Sequence, residues 1–251
     1  MTVPCEPVRW EVLDTSVLGT GDTVVLRRRG AMFDIRFNGI ELMSNADPTS
    51  ELAFGRAVAG GRDRTNPSQA APSRVLIGGL GMGFTLRAAL DHLPEACAVH
   101  VCELVPAVAQ WNQNEIGHLA GWPLRDPRVH LETECIRTYL ARTDRLFDVI
   151  FLDTDNGPDW MVREENAAIY QQEGLREILL RLKPQGVVGY WSATRSEAFA
   201  ARLAALGLSW TAEPVYLGTP GQEPFHFVYY ISPQKSADGR PALAEEIINA
   251  N

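Results

Sequence analysis

The segment Phe147-Asp148-Val149-Ile150-Phe151-Leu152-Asp153 carries an almost unbroken apolar run into a carboxylate, and Asp155, Asn156, Gly157, Pro158 and Asp159 follow it. Carboxylates gathered in one short loop can bind an amine, orient it and take its proton. The amine attacks an electrophilic carbon only when neutral, so a base or desolvating site is useful, and a nearby carboxylate also stabilises the cationic transition state. Asp153 is therefore the candidate catalytic residue, and Asp155 and Asn156 are candidates for holding the acceptor. The competing reading is a polar turn in which Asp153 or Asp155 caps the next helix.

A second feature lies in Val75-Leu76-Ile77-Gly78-Gly79-Leu80-Gly81-Met82-Gly83, which joins an apolar strand to a helix. Glycines there let backbone approach a ligand, and the helix N-terminus adds partial positive charge. A dinucleotide fingerprint starting at Gly79 needs glycine at position 84, which is Phe84. The chain instead has G-x-G-x-G at Gly79, Gly81 and Gly83, the spacing common in sheets that bind S-adenosylmethionine (SAM). Glu103 closes the second strand, twenty residues beyond Gly83. A carboxylate there can accept both ribose hydroxyls of a nucleoside, a device that nicotinamide and adenosylmethionine proteins share. A structural turn at the loop and an exposed acid at the strand end are the plainer alternatives. Taken together, loop and acid point to a nucleoside ligand of the SAM type.

These residues need a scaffold, and the pattern from Arg74 onward supplies one. Strands are predicted near 74–78, 98–102, 128–131, 147–152 and 186–191, with helices near 84–92, 106–117, 165–182 and 195–206. Such alternation means a parallel sheet covered on both faces. The fold class is α/β: a doubly wound, mostly parallel, Rossmann-like sheet of the SAM-dependent methyltransferase type. Strands near 208–217 and 224–232 have no helix between them and should form a C-terminal antiparallel hairpin at the sheet edge. Residues 8–43 read as short strands, with Asn38-Gly39 as a hairpin turn, and 51–59 reads as a helix. The expected organisation is a small N-terminal β region with one helix at 1–60, a linker at 61–73, the SAM-binding domain at 74–235 and a tail at 236–251. Ligands bind at the carboxyl edge of such sheets. Trp191 falls at that edge and is a candidate for the acceptor pocket; Trp160 and Trp210 could join it, and all three read equally as core. His226, between Phe225 and Phe227, reads as a core histidine of the hairpin, with a catalytic role as the alternative.

The remaining composition narrows the partners. The 251 residues are 45% hydrophobic and carry a net charge of −8, which leaves no electrostatic footprint for nucleic acid or an anionic membrane. Cys5, Cys97, Cys102 and Cys135 form no C-x-x-C pair, and no His-Glu or Cys cluster supports a metal. Reduced thiols, no apolar run long enough to span a bilayer and an N-terminus without signal-peptide character set the expectation of a cytoplasmic protein. The N-terminal strands are too few for a core of their own, which predicts packing against a second subunit as a homodimer.

From about Gly39 to Leu182 the chain resembles the spermidine synthase family of aminopropyltransferases. The similar motifs are Ile77-Gly78-Gly79 through Thr85-Leu86-Arg87, Val101-Cys102-Glu103-Leu104-Val105, Asp126-Pro127-Arg128-Val129, Phe147 to Asp153, and Arg181-Leu182-Lys183-Pro184-Gln185-Gly186; Asn38-Gly39 and Glu51 match the N-terminal motif. The resemblance implies that Gly78, Gly79, Gly81, Gly83, Glu103 and Leu104 hold the donor, that Cys135 with Glu134 stands where the family meets the adenine amine, and that Asp153 is the catalytic aspartate. Three departures accompany it. Gly81 stands where the family has an aspartate for the donor's amine, Asn156 stands in place of a second catalytic-loop aspartate, and Cys135 replaces an acid. The implied reaction moves an aminopropyl or related alkyl group from decarboxylated SAM or SAM to a small-molecule amine, without metal. The alternatives are a SAM-dependent methyltransferase on the same sheet and a non-catalytic nucleoside-binding protein.

Overall fold

The computed structural model describes residues 9–60, 71–161, 163–216 and 226–233. The chain divides into two compact units, Met1–Pro48 and Thr49–Asn251. The linker expected at 61–73 lies outside the described residues up to 70, as do the tail at 236–251, Cys5 and Phe225.

The first unit is a four-stranded antiparallel sheet in sequential order: β1 (Glu11–Val17), β2 (Thr23–Arg29), β3 (Met32–Phe37) and β4 (Ile40–Ser44). Asn38 and Gly39 both take positive φ, the geometry of a turn whose twist matches that of the strands it joins. Val24 pairs with Phe37 and Leu26 with Ile35, so one face is apolar. On the other face the buried Asp34 carboxylate is held by Arg27 and Arg36.

The second unit begins with α1 (Thr49–Gly60). Its sheet runs β10 (Ser209–Val215), β11 (His226–Ser232), β9 (Leu182–Ser192), β8 (Phe147–Leu152), β5 (Arg74–Gly78), β6 (Ala98–Cys102), β7 (Val129–Glu132). Pairing is parallel from β9 through β7 and antiparallel where β11 and β10 close the edge. All six residues of β8 are buried, as a central strand covered on both faces requires. From β5 the chain steps outward to β6 and β7, then returns to lay β8 on the opposite side of β5. The strand order thus reverses between β5 and β8, and ligands of open α/β sheets bind outside the strand ends at such a reversal.

On one face Phe54 of α1, Leu86 and Leu90 of α2 (Phe84–His92) and Ala109 of α3 (Pro106–Gln113) pack with Val75, Ile77, Val149 and Phe151. On the other, Tyr139 and Leu140 of α4 (Ile136–Arg142), Leu175 and Ile178 of α5 (Gln172–Leu179) and Phe199 and Leu203 of α6 (Glu197–Ala205) pack with Leu76, Ile150 and Leu152. Among the described residues no helix is long and apolar enough to cross a membrane.

Several elements depart from the sequence reading. Helix α1, grouped there with the N-terminal strands, belongs to the larger unit, because Gly55 lets it approach α2 so closely that a Cβ would lie 2.3 Å from the Thr85 carbonyl oxygen. Helix α4 was not expected; only Ile136, Tyr139 and Leu140 of its seven residues are buried, too short a stripe to stand out. The single helix expected over 165–182 is a 3₁₀ turn, Glu164–Tyr170, followed by α5, and the extended backbone of Gln171 separates them. The helix expected to run to residue 117 stops at Gln113 and gives way to a 3₁₀ turn at Gly117–Ala120. Strand β9 starts at Leu182, so the stretch that resembles a family turn lies within the strand.

At the amino end of the sheet the buried Asp148 of β8 accepts hydrogen bonds from the Ser73 and Arg74 amides, at 2.9 and 3.0 Å, and from Lys183 Nζ at 2.8 Å. Burial works against ionisation, but Lys183 and the two amides outweigh it and hold this carboxyl down at about 2. Because the folded value lies below that of the unfolded chain, the stabilisation is present above about pH 4 and is lost as pH falls towards 2. Replacement Asp148→Asn should therefore cost roughly 2–4 kcal/mol at pH 7 and much less near pH 2–3. Denaturant titrations at the two pH values check this; an equal loss at both would contradict it.

Candidate functional site

The strand reversal is built from backbone. The Asp153 amide donates to the Gly78 carbonyl at 2.8 Å, and the Gly79 amide donates to the Cys102 carbonyl at 2.8 Å, so the ends of β8, β5 and β6 are tied in sequence. Gly79 has φ +91°, and a Cβ there would stand 2.0 Å from the Asp153 carbonyl oxygen. A side chain at 79 would separate the two loops. Gly83, at φ +83°, opens α2, and its missing Cβ leaves room for Pro123 and Asn112. From α3, Asn112 Nδ2 donates to the Gly81 carbonyl at 2.7 Å and so clamps the middle of the loop.

Glu103 clamps the loop from the other side. Its Oε2 accepts the Leu80 amide at 3.0 Å and its Oε1 accepts the Val105 amide at 2.8 Å. The residue is only 7% exposed, which removes the reading of an exposed acid at a strand end. Burial raises its pKa, against the pull of the amides. The Gly81 and Leu104 amides also act on it and, like the first two, favour its charged form. Beside it Leu104 is 38% exposed, an apolar surface at the strand end where a flat base could rest.

Asp153 is differently placed. Its Oδ2 accepts the Thr85 hydroxyl at 2.6 Å. Burial pushes the carboxyl up to about 7, with Glu51 of α1 adding like charge and the Thr85 bond pulling the other way. A base poised near neutrality fits proton abstraction from an amine or other weak acid.

The other expected site residues fall into two groups. Asn156 and Trp191 lie on the loop after β8 and at the end of β9; the Asn156 carbonyl accepts the Ala193 amide at 3.0 Å, which joins those two loops. Trp191 packs against His226 with the rings tilted by 42° and their centroids 4.5 Å apart, and its buried indole Nε1 has no partner among the described residues. Asp155 is committed to the loop itself: its carboxylate accepts the Asn156 and Arg163 amides at 2.8 and 3.2 Å and Asn166 Nδ2 at 2.8 Å. Cys135 stands at the N-cap of α4, and Glu134 beside it is paired to Arg142. Trp160 is exposed, and Trp210 packs beside Tyr229 on the edge hairpin. No group of three or more His, Cys, Asp or Glu converges among the described residues.

Sequence reasoning missed three contributors. Thr85 reads as an ordinary first-turn threonine, although it follows the glycine loop by two residues. Asn112 is invisible until α3 is laid beside the loop. Tyr170 is buried at the end of the 3₁₀ turn, close enough to Asp155 and Asp153 that their charges raise its own pKa beyond the effect of burial.

The seven-stranded sheet with its reversed order, and a loop-and-acid site at its carboxyl edge, define a methyltransferase-like α/β fold. The chain is similar in structure to a spermidine synthase solved in complex with the transition-state analogue AdoDATO, with a TM-score of 0.64 and 17% identity over 88% of this chain and 71% of that one. It is equally similar to the spermidine synthase of Thermotoga maritima, at TM-score 0.64 and 18% identity over 88% and 72%. At those identities the likeness establishes the fold. In sequence the chain is similar to polyamine aminopropyltransferase 2 of Pseudomonas aeruginosa, 36% identical over 128 residues, which cover 47% of this chain and 32% of that one. It is also similar to the polyamine aminopropyltransferase of Thermococcus onnurineus, 38% identical over 98 residues, covering 38% and 33%. The match thus spans about a third of the length of each curated relative. No family model matches the chain.

The raised carboxyl of Asp153 has a consequence for stability. Between about pH 4 and 7 the folded chain holds a proton there that the unfolded chain has released, so folding stability falls as pH rises through that window. Asp153→Asn cannot ionise. The variant should melt higher than the parent at pH 8, and this advantage should vanish near pH 4. Thermal melts across that range check it; a pH-independent difference would contradict the assigned environment.

Proposed function

We propose that the chain is an aminopropyltransferase in which decarboxylated SAM lies across the reversal between β5 and β8 and a small amine is the acceptor. The observation that carries this is the Asp153 carboxyl, poised near neutrality, with its backbone packed on Gly79 of the nucleoside-type loop. The sequence similarity to polyamine aminopropyltransferases supports the choice of transferred group. Glu103, at the end of β6, would accept the ribose hydroxyls, and Leu104 would flank the base. Gly78, Gly79, Gly81 and Gly83 admit the donor, and Cys135 and Glu134 at the head of α4 would stand by the adenine edge. Asn156 and Trp191 would line the acceptor side, while Asp155 holds the loop in shape.

In the reaction the acceptor nitrogen's lone pair forms the new N–C bond. The C–S bond breaks with its electrons passing to sulfur, which leaves as a neutral thioether. The nitrogen becomes cationic and its proton passes to Asp153. A thioether needs no acid to leave, so catalysis is positioning plus proton removal. The same site would accept SAM for methyl transfer, and one feature favours that second reading: Gly78–Phe84 contains no acid to meet the donor's amine. We extend the proposal to a cytoplasmic homodimer, supported by the buried free thiols of Cys97 and Cys102 and by Val12, Val17 and Ile40 exposed on the N-terminal sheet.

Incubation with each donor and a panel of amines, followed by product mass, tests the reading. The expected product carries an added aminopropyl group, and Asp153→Asn should form it about 10²–10⁴-fold more slowly. Added methyl from SAM would move the chain to the second reading. Undiminished turnover in Asp153→Asn would remove that residue from the mechanism.

A further inference from the structure

We infer that Thr85 is a positioning residue for Asp153: its hydroxyl fixes the orientation of that carboxylate and serves it in both protonation states. The inference rests on the proposed role of Asp153 only for its effect on turnover.

Thr85 is 3% exposed and sits in the first turn of α2, directly after the glycine loop. Its Oγ1 lies 2.6 Å from Asp153 Oδ2 and 3.4 Å from the carbonyl oxygen of Glu51 on α1. A hydroxyl has one proton and two lone pairs. With Asp153 ionised, Thr85 donates to the carboxylate. With Asp153 protonated on Oδ2, the carboxyl O–H donates to Thr85 Oγ1, and the threonine proton turns towards the Glu51 carbonyl. A proton taken up on Oδ1 leaves Thr85 donating to Oδ2, and a proton held on Oδ2 is accepted by Thr85, so neither state requires the aspartate to rotate.

The position of Thr85 is itself imposed. At Gly55 an added Cβ would meet the Thr85 carbonyl oxygen at 2.3 Å and the Ala88 Cβ at 2.7 Å, so α1 and α2 are in backbone contact at this residue. Phe54, one residue earlier, packs edge-on against Phe151 of β8, ring centroids 4.6 Å apart, which fixes α1 to the strand that carries Asp153. Among the described residues the ionisable groups facing Asp153 are Glu51 from α1 and Tyr170 from the turn before α5; both are acids, and no bond from either to it is seen. Thr85 is therefore the group that favours the ionised form. The bond to a charged acceptor is the stronger of its two modes, so its removal should raise the Asp153 midpoint.

The test compares Thr85→Val, which keeps the shape and loses the hydroxyl, with Thr85→Ser, which keeps the hydroxyl. The carbon-13 shift of the Asp153 carboxyl is followed against pH in the full chain, with Asp153→Asn supplying the assignment. The midpoint should move up by about one pH unit or more in Thr85→Val and stay near the parent value in Thr85→Ser. The rising limb of the pH–rate profile should move with it, with kcat reduced in Thr85→Val and restored in Thr85→Ser. An unmoved midpoint in Thr85→Val overturns the inference. So does a midpoint in Thr85→Ser displaced from the parent's, which remains decisive if the valine variant fails to fold. If no donor and amine give turnover even in the parent, the functional reading fails, while the carboxyl titration still decides the role of Thr85.

Discussion

The backbone contact between Gly79 and Asp153 is the constraint on which the rest of this site depends. Two loops that leave the sheet from neighbouring parallel strands would normally diverge. Here the absence of a Cβ at Gly79 lets the Asp153 carbonyl oxygen close to within 2.0 Å of where that atom would be. The glycine loop and the acidic loop therefore share a wall. The flanking bonds from Asp153 to Gly78 and from Gly79 to Cys102 keep that spacing fixed.

From this follows a division of labour between two buried acids. Glu103 is met by the backbone amides of Leu80, Gly81, Leu104 and Val105, which favour its charge and hold it as part of the loop. Asp153 has a single hydroxyl donor and an acidic neighbour, and its carboxyl sits near neutrality. Two buried acids at one sheet edge are thus held differently, Glu103 by backbone amides and Asp153 by the Thr85 hydroxyl. The difference lies in how many N–H groups the local backbone aims at each.

Much of this was legible in the sequence where chemistry and pattern coincide. Strands β5, β6 and β8 are short apolar runs bounded by glycine or acid, and strands covered on both faces leave that signature. The residues that end them, Gly78, Glu103 and Asp153, could be placed at one sheet edge before any coordinates. What was not legible depends on contacts distant in sequence. Thr85 and Asp153 are 68 residues apart, and a first-turn threonine gives no sign of its partner. The allegiance of α1 turns on Gly55 meeting α2. Helix α4 presents only three buried side chains and no side-chain cap. Asp155 also accepts bonds from the Arg163 amide and Asn166, whose return to the loop the sequence does not reveal.

The central claim, that an adenosyl sulfonium lies beside a partly protonated Asp153, is tested most directly by calorimetric titration at pH 7 in two buffers of different ionisation enthalpy. Decarboxylated SAM should bind with a buffer-dependent heat, because its sulfonium drives the Asp153 proton into solution. Neutral methylthioadenosine should bind without that dependence, and Asp153→Asn should abolish it. Equal proton release with both ligands, or binding of NADP in place of either, would contradict the account.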